Sequence, residues 1–308
     1  MKQLRLHIYI ILGLFLTTLI VGSFLDLQIN QALFSKNNGF GLFIAAIGTL
    51  PGYCMIAVLG GGFFSLGLKK PYKTPIKVIF FVLSAVCLGL AVYYSGGEVF
   101  SINAFYNPKL EWLGYVICFP FCLASEFLGY WLISKSKREH IWIILVVLAV
   151  AAFITLVPGV TLLKSIFHRP RFRSIIATDY GVEFHNWWVR CGNYKQYMEV
   201  FNLPKEEFKS FPSGHTGAAA VLIIVAPFLP MLDEKYQKLQ LPLIYGALAW
   251  TLLVAFTRML VGAHFLSDIS MGALLAVVCM LVGNEILIHL KTLNPKPTEE
   301  EPVQQPEA

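Results

Sequence analysis

Charge is scarce in this chain. Only 14% of its 308 residues are Asp, Glu, Lys or Arg, where an ordinary soluble domain carries roughly 25%. So few charges cannot cover a globular surface of this size, which excludes a soluble enzyme and a disordered protein. Cysteine is sparse as well. Of the six, only Cys191 falls in a long polar connection, while Cys54, Cys87, Cys118, Cys122 and Cys279 sit in apolar stretches. That excludes a disulfide-stapled secreted scaffold, and no spacing suits a structural metal. Repeats and a second soluble domain are missing too. The net charge of +6 is modest and reflects loop bias, which argues against a nucleic-acid partner. What is abundant is hydrophobicity, at 56%, and the composition predicts an integral membrane protein.

A helical span needs about 20 mostly apolar residues. Eight segments qualify: 6–25, 43–68, 76–95, 112–133, 141–163, 214–232, 241–261 and 265–290. The expected fold is all-α, a polytopic membrane helix bundle of about eight transmembrane helices, within a range of six to eight. The first segment is too long for a signal peptide and lacks an Ala-x-Ala site, so it reads as an uncleaved span. The second is interrupted by Gly48, Pro51 and Gly60-Gly61-Gly62, which suggests a shorter span preceded by a helix at the surface. Lys and Arg set the orientation. With the N-terminus inside, thirteen of the 24 basic residues fall on inner segments and only Lys36, Lys109 and Arg258 on short outer ones; the remaining eight lie in the long outer loop 164–212. Both termini are therefore expected in the cytoplasm of a multi-pass cell-membrane protein. The chain divides into N-terminal spans (1–140), a core (141–290) with that outer loop, and a Pro- and Glu-rich tail (291–308) that reads as disordered.

Ionisable residues in or beside spans point to function. Lys164 ends the fifth span, with Arg169, Arg171 and Arg173 after it; Pro212-Ser213-Gly214-His215 opens the sixth; Arg258 closes the seventh; His264 and Asp268 open the eighth. Singly, each has an ordinary explanation, such as a snorkelling lysine or an N-cap serine. Jointly, the topology puts all four groups at one depth, on the outer side. Three cations, Lys164, Arg171 and Arg258, with Ser213 and the Gly214 amide at a helix N-terminus, suit a phosphoryl group. Two histidines then supply the attack on phosphorus and the proton for the leaving oxygen. Asp268, one turn from His264, favours His264 as nucleophile and leaves His215 as general acid. Neither metal nor cofactor is expected.

At these residues the sequence resembles the type 2 phosphatidic acid phosphatase superfamily. Its first signature, Lys, six residues, Arg-Pro, aligns Lys164 with Arg171, although Phe172 stands where proline would. An Arg-Pro pair occurs instead at Arg169-Pro170, so Arg169 competes with Arg171 as phosphate ligand. Pro-Ser-Gly-His is matched in full, and Ser-Arg, five residues, His, three residues, Asp is matched by Thr257-Arg258, His264 and Asp268. The resemblance covers about residues 163–268 and implies a metal-independent phosphatase working through a phosphohistidine. Many integral members have six spans, so it does not explain the N-terminal ones.

The expected partners are a lipid phosphate substrate and membrane lipids, with no obligatory protein partner. Phosphatidate, phosphatidylglycerophosphate and polyprenyl diphosphate all fit the depth of the site. A lipid phosphotransferase would use the same residues; a transporter would use the spans but not the histidines. Phe184, Trp187, Trp188, Tyr194 and Tyr197 of the outer loop read as an interfacial belt or as a tail entry. Glu126, deep in a span, reads as a protonated, hydrogen-bonded structural acid or as the lining of a polar cavity.

Overall fold

The computed structural model describes residues 2–99, 109–136, 140–228 and 234–290; the expected tail, 291–308, lies outside them. Among the described residues there is no strand, and the fold is the expected membrane helix bundle. Seven helices are long and apolar enough to cross a bilayer. The sixth expected span, 214–232, is not among them: its apolar helix is the shorter Gly214–Phe228, and 229–232 lie outside the described residues.

Helix α1 (Lys2–Leu33) is followed by α2 (Gly39–Ile47), α3 (Leu50–Leu68), α4 (Thr74–Val99) and α5 (Glu111–Lys135). The break between α2 and α3 falls at Gly48, whose carbonyl accepts from the Trp250 indole at 2.9 Å. The glycines at 60–62 do not interrupt α3. A Cβ on Gly61 would lie 1.7 Å from the Glu126 carbonyl oxygen, so this glycine lets α3 and α5 touch. On the same α5 turn the Glu126 carboxylate accepts from Ser84 at 2.7 Å.

Helix α6 (Ile141–Ile154) runs through a π-helical stretch, Thr155–Leu162, into α7 (Leu163–Phe167). Pro158 lies inside that stretch and cannot donate a backbone bond. The Thr161 hydroxyl meets the Leu156 carbonyl at 3.1 Å. At His168 the backbone turns left-handed, φ 49°, which ends the helix and releases the chain into the outer loop.

That loop folds back as α8 (Phe172–Ala177), α9 (Tyr194–Val200) and a short turn, Lys205–Phe208. Phe172, Ile175, Val182, Phe208 and Phe265 form its own apolar core. Most of the loop aromatics join this packing instead of facing lipid. Phe184 meets Phe265 edge-on at 5.2 Å, Trp187 stacks on Phe211, Tyr194 on His168 and Tyr197 on Phe208. The Trp187 indole also donates to Ser23 of α1 at 2.9 Å. Trp188, 49% exposed, stays on the surface.

Helices α10 (Gly214–Val225), α11 (Gln240–Leu260) and α12 (Leu266–His289) complete the bundle. α10 is buried on every side, packed against α3, α11 and α12. A helix apolar all round and enclosed by others has no need to match the bilayer in length. α1 lies antiparallel to α12, tied by an Arg5–Glu285 ion pair at one end and by Asp26 to Ser267 at the other.

Candidate active site

The spacing Arg258, His264, Asp268 is a helix reversal. α11 ends at Leu260, and the Ala263 and His264 amides both turn back to the Arg258 carbonyl, at 3.0 and 3.3 Å. Gly262 makes the reversal with φ +65°, and a Cβ there would lie 2.7 Å from the Phe34 ring. α12 then starts with Asp268 accepting from the Phe265 amide at 2.9 Å. All three residues are buried at one end of the bundle.

The His264 ring is fixed through Nδ1, 2.7 Å from the Ser210 carbonyl oxygen. A carbonyl only accepts, so Nδ1 carries the proton and Nε2 keeps its lone pair. Asp268 Oδ2 lies 3.7 Å from the same Nδ1. The carboxylate therefore acts on His264 through charge, and the carbonyl orients the ring. Burial, with Arg171 and Lys164 nearby, holds the imidazole well below the usual histidine range, against the pull of Asp268. The ring is neutral at neutral pH.

The three arginines that follow Lys164 have separate partners. Arg169, 1% exposed, donates to Asp268 Oδ1 at 2.5 Å, Asp26 Oδ2 at 2.8 Å, Ser267 Oγ at 2.8 Å and the His185 carbonyl at 2.8 Å. Its guanidinium lies over the Phe265 ring, 4.3 Å from the centroid. Arg173 pairs with Glu207, which also accepts from Ser174. In Glu207, burial pushes the carboxyl up, but these bonds and Arg171 outweigh it, and the net direction is down. Arg171 is different. Its amide donates to the Glu207 carbonyl at 2.9 Å, while its buried Nε has no hydrogen-bond partner among the described residues.

The Arg258 Nε is equally buried and, among the described residues, equally without a hydrogen-bond partner. Lys164, Arg171 and Arg258 lie close enough to repel one another. A Cβ on Gly214 would sit 3.3 Å from Lys164 Nζ, which places that ammonium beside the first turn of α10. Ser213 caps the turn, accepting from the Thr216 amide at 3.3 Å and the Thr216 hydroxyl at 2.9 Å. Its own amide donates to the Asp268 carbonyl at 2.9 Å, locking the start of α10 to the start of α12. His215, on that first turn, faces a carboxylate: Nε2 is 3.2 Å from Glu98 Oε2.

The structure thus brings Lys164, Arg171, Ser213, Gly214, His215, Arg258, His264 and Asp268 to one end of the bundle and turns Arg169 toward carboxylates. It also brings in residues that sequence reasoning missed. Asp26 and Asn30 arrive from α1, the latter donating to the His264 carbonyl at 3.0 Å; Glu98 comes from α4, and Ser210 from the loop. Their signal was depth: Asp26 and Glu98 lie at the ends of spans that the loop charges direct outward.

Buried cations with unsatisfied N–H groups, beside a helix N-terminus, form a seat for a polyvalent anion. A neutral imidazole with Nε2 available and a second histidine at the same seat can transfer a phosphoryl group. Residues 140–287 match the family model of the PAP2 superfamily. Searches of curated proteins and of solved structures each return no match. Residues 140–287, set in a membrane-type helix bundle, are thus a domain of the PAP2 superfamily, that of the type 2 phosphatidic acid phosphatases, whose members are generally phosphatases.

Proposed function

We propose that this membrane phosphatase hydrolyses a lipid phosphate or diphosphate through a phosphohistidine at the outer membrane face. The observation that carries the reading is the His264 ring, held by Nδ1 on the Ser210 carbonyl with Nε2 left as nucleophile. Nε2 attacks phosphorus, the P–O bond to the lipid breaks, and its electron pair goes to the leaving oxygen. His215 gives that oxygen a proton. Water then attacks the phosphohistidine, His215 takes back a proton, and the P–N bond breaks with its pair returning to Nε2.

Lys164, Arg171 and Arg258 balance charge on the phosphoryl oxygens, and the start of α10, capped by Ser213 with the Gly214 amide, adds donors. Asp268 stabilises the positive charge His264 gains. These groups supply every role without a metal. The excess of basic residues on the short inner segments supports a site on the outer side. A substrate with its phosphate at the headgroup layer suits that depth.

The test is phosphate release by the purified protein from phosphatidate, phosphatidylglycerophosphate and a polyprenyl diphosphate, with His264→Ala as control. Acid-labile, base-stable labelling of wild type by a radioactive phosphate substrate traps the intermediate. Turnover of none of these lipids, or turnover that survives His264→Ala, refutes the reading.

A further inference from the structure

The general acid assigned to His215 poses an electrostatic problem. A general acid must carry a proton, yet the His215 side chain is only 13% exposed, and Lys164 and Arg258 both act on it as neighbouring positive charges. Protonating an imidazole in that setting needs a compensating anion. Asp268 is committed elsewhere, to Arg169, Ser210 and the Phe265 amide. Among the described residues, the charged groups that act most strongly on His215 are Lys164 from α7, Arg258 from α11 and Glu98 from α4, and of these only Glu98 is an anion. Its Oε2 stands 3.2 Å from His215 Nε2, an ion-pair contact; the buried Nε2 makes no aligned hydrogen bond among the described residues, so a proton there has this carboxylate as its nearest anion.

We infer that Glu98 is a positioning residue for the reaction: it holds the His215 imidazolium through Nε2–H, keeping the acid protonated and its ring oriented toward the leaving oxygen. The proton that is transferred is then the one on Nδ1. After the P–O bond breaks, the neutral ring keeps its Nε2–H on Glu98 and accepts the proton of the attacking water at Nδ1. Glu98 lies outside the family match at 140–287. The catalytic constellation is therefore completed by a helix the family signatures do not include.

The inference rests on the phosphatase reading, and leaving-group dependence separates the two. An alkyl oxygen needs a proton as it departs, whereas an aryloxide departs without one. Wild type, Glu98→Gln and Glu98→Asp are compared on an alkyl lipid phosphate and on an aryl phosphate. General acid help contributes about 10²–10⁴-fold, so Glu98→Gln should lose at least about tenfold more kcat on the alkyl than on the aryl substrate. Its alkaline limb in kcat should move to lower pH, and Glu98→Asp should recover part of both effects. Equal losses on the two substrates would make Glu98 merely structural and overturn the inference. A fall in KM with unchanged or higher kcat would instead show a carboxylate competing for the phosphate seat, and would overturn it as well. A wild type inert toward both substrates refutes the phosphatase reading, and this inference with it.

Discussion

Arg169 and Arg171 are two residues apart, and the structure predicts opposite consequences for their loss. Arg169→Ala strands two buried carboxylates, Asp26 and Asp268, whose side chains are 1% and 0% exposed. Removing one partner of a buried pair costs about 3–5 kcal/mol, and here one deletion breaks two pairs. Against a total stability of about 5–15 kcal/mol, Arg169→Ala should fail to accumulate or should unfold well below wild type. Arg171→Ala removes a half-buried cation whose buried Nε has no hydrogen-bond partner among the described residues, so stability should hold or rise. What it loses is the charged hydrogen bonding to phosphate, about 1.5–3 kcal/mol, or about 10- to 150-fold in kcat/KM. Thermal unfolding in detergent, followed by tryptophan fluorescence, and phosphate release on the same preparations give both quantities. A well-folded Arg169→Ala with lost activity, beside an active Arg171→Ala, would refute the assignment and make Arg169 the phosphate ligand.

Three further outcomes follow from the site. His264→Ala should abolish turnover while EDTA leaves wild type active; strict dependence on added magnesium would contradict the mechanism. Because the His264 imidazole is held well below its ordinary range, it stays neutral as pH falls through 6.5 and is protonated only at lower pH. The acid limb of kcat/KM, corrected for ionisation of the substrate, should therefore lie below pH 6.5; half-loss at or above 6.5 would be inconsistent with the geometry. Gly272→Ala would place a Cβ 2.5 Å from the Ser213 carbonyl oxygen. Because that is backbone, α10 and α12 must part at the site, costing about 1–3 kcal/mol in unfolding together with much of the activity. An unchanged kcat/KM would show that this helix contact does not position the seat.

The motif residues were legible because charge is rare in this chain and every departure from apolar sequence stands out. Lys164, His215, Arg258 and His264 announce themselves at the ends of apolar runs. Roles that depend on backbone were not legible. Ser210 acts on His264 through its carbonyl, and a carbonyl leaves no trace in residue identity. The choice between Arg169 and Arg171 was open in sequence because either can be drawn to phosphate; burial and partners separate them. Asp26 sits one residue past the expected end of the first span, and α1 continues through it to Leu33. The shortness of α10 was hidden for another reason. Hydropathy reports how apolar a segment is, and a helix enclosed by protein looks the same as one enclosed by lipid.

The clamp between α1 and α12 bears on how small this enzyme can be made. Asp26 accepts from the Ser267 amide at 2.9 Å and pairs with Arg169. A Cβ on Gly22 would fall 2.6 Å from that same amide nitrogen, so the two helices meet backbone to backbone at the turn that carries His264. A fragment spanning 140–287 would keep every signature residue and lose the Asp26 carboxylate on Arg169, the Asn30 bond to the His264 carbonyl, and Glu98. The recognisable core is thus smaller than the working unit, and truncation at the signature boundary should yield an intact set of motifs without an assembled site.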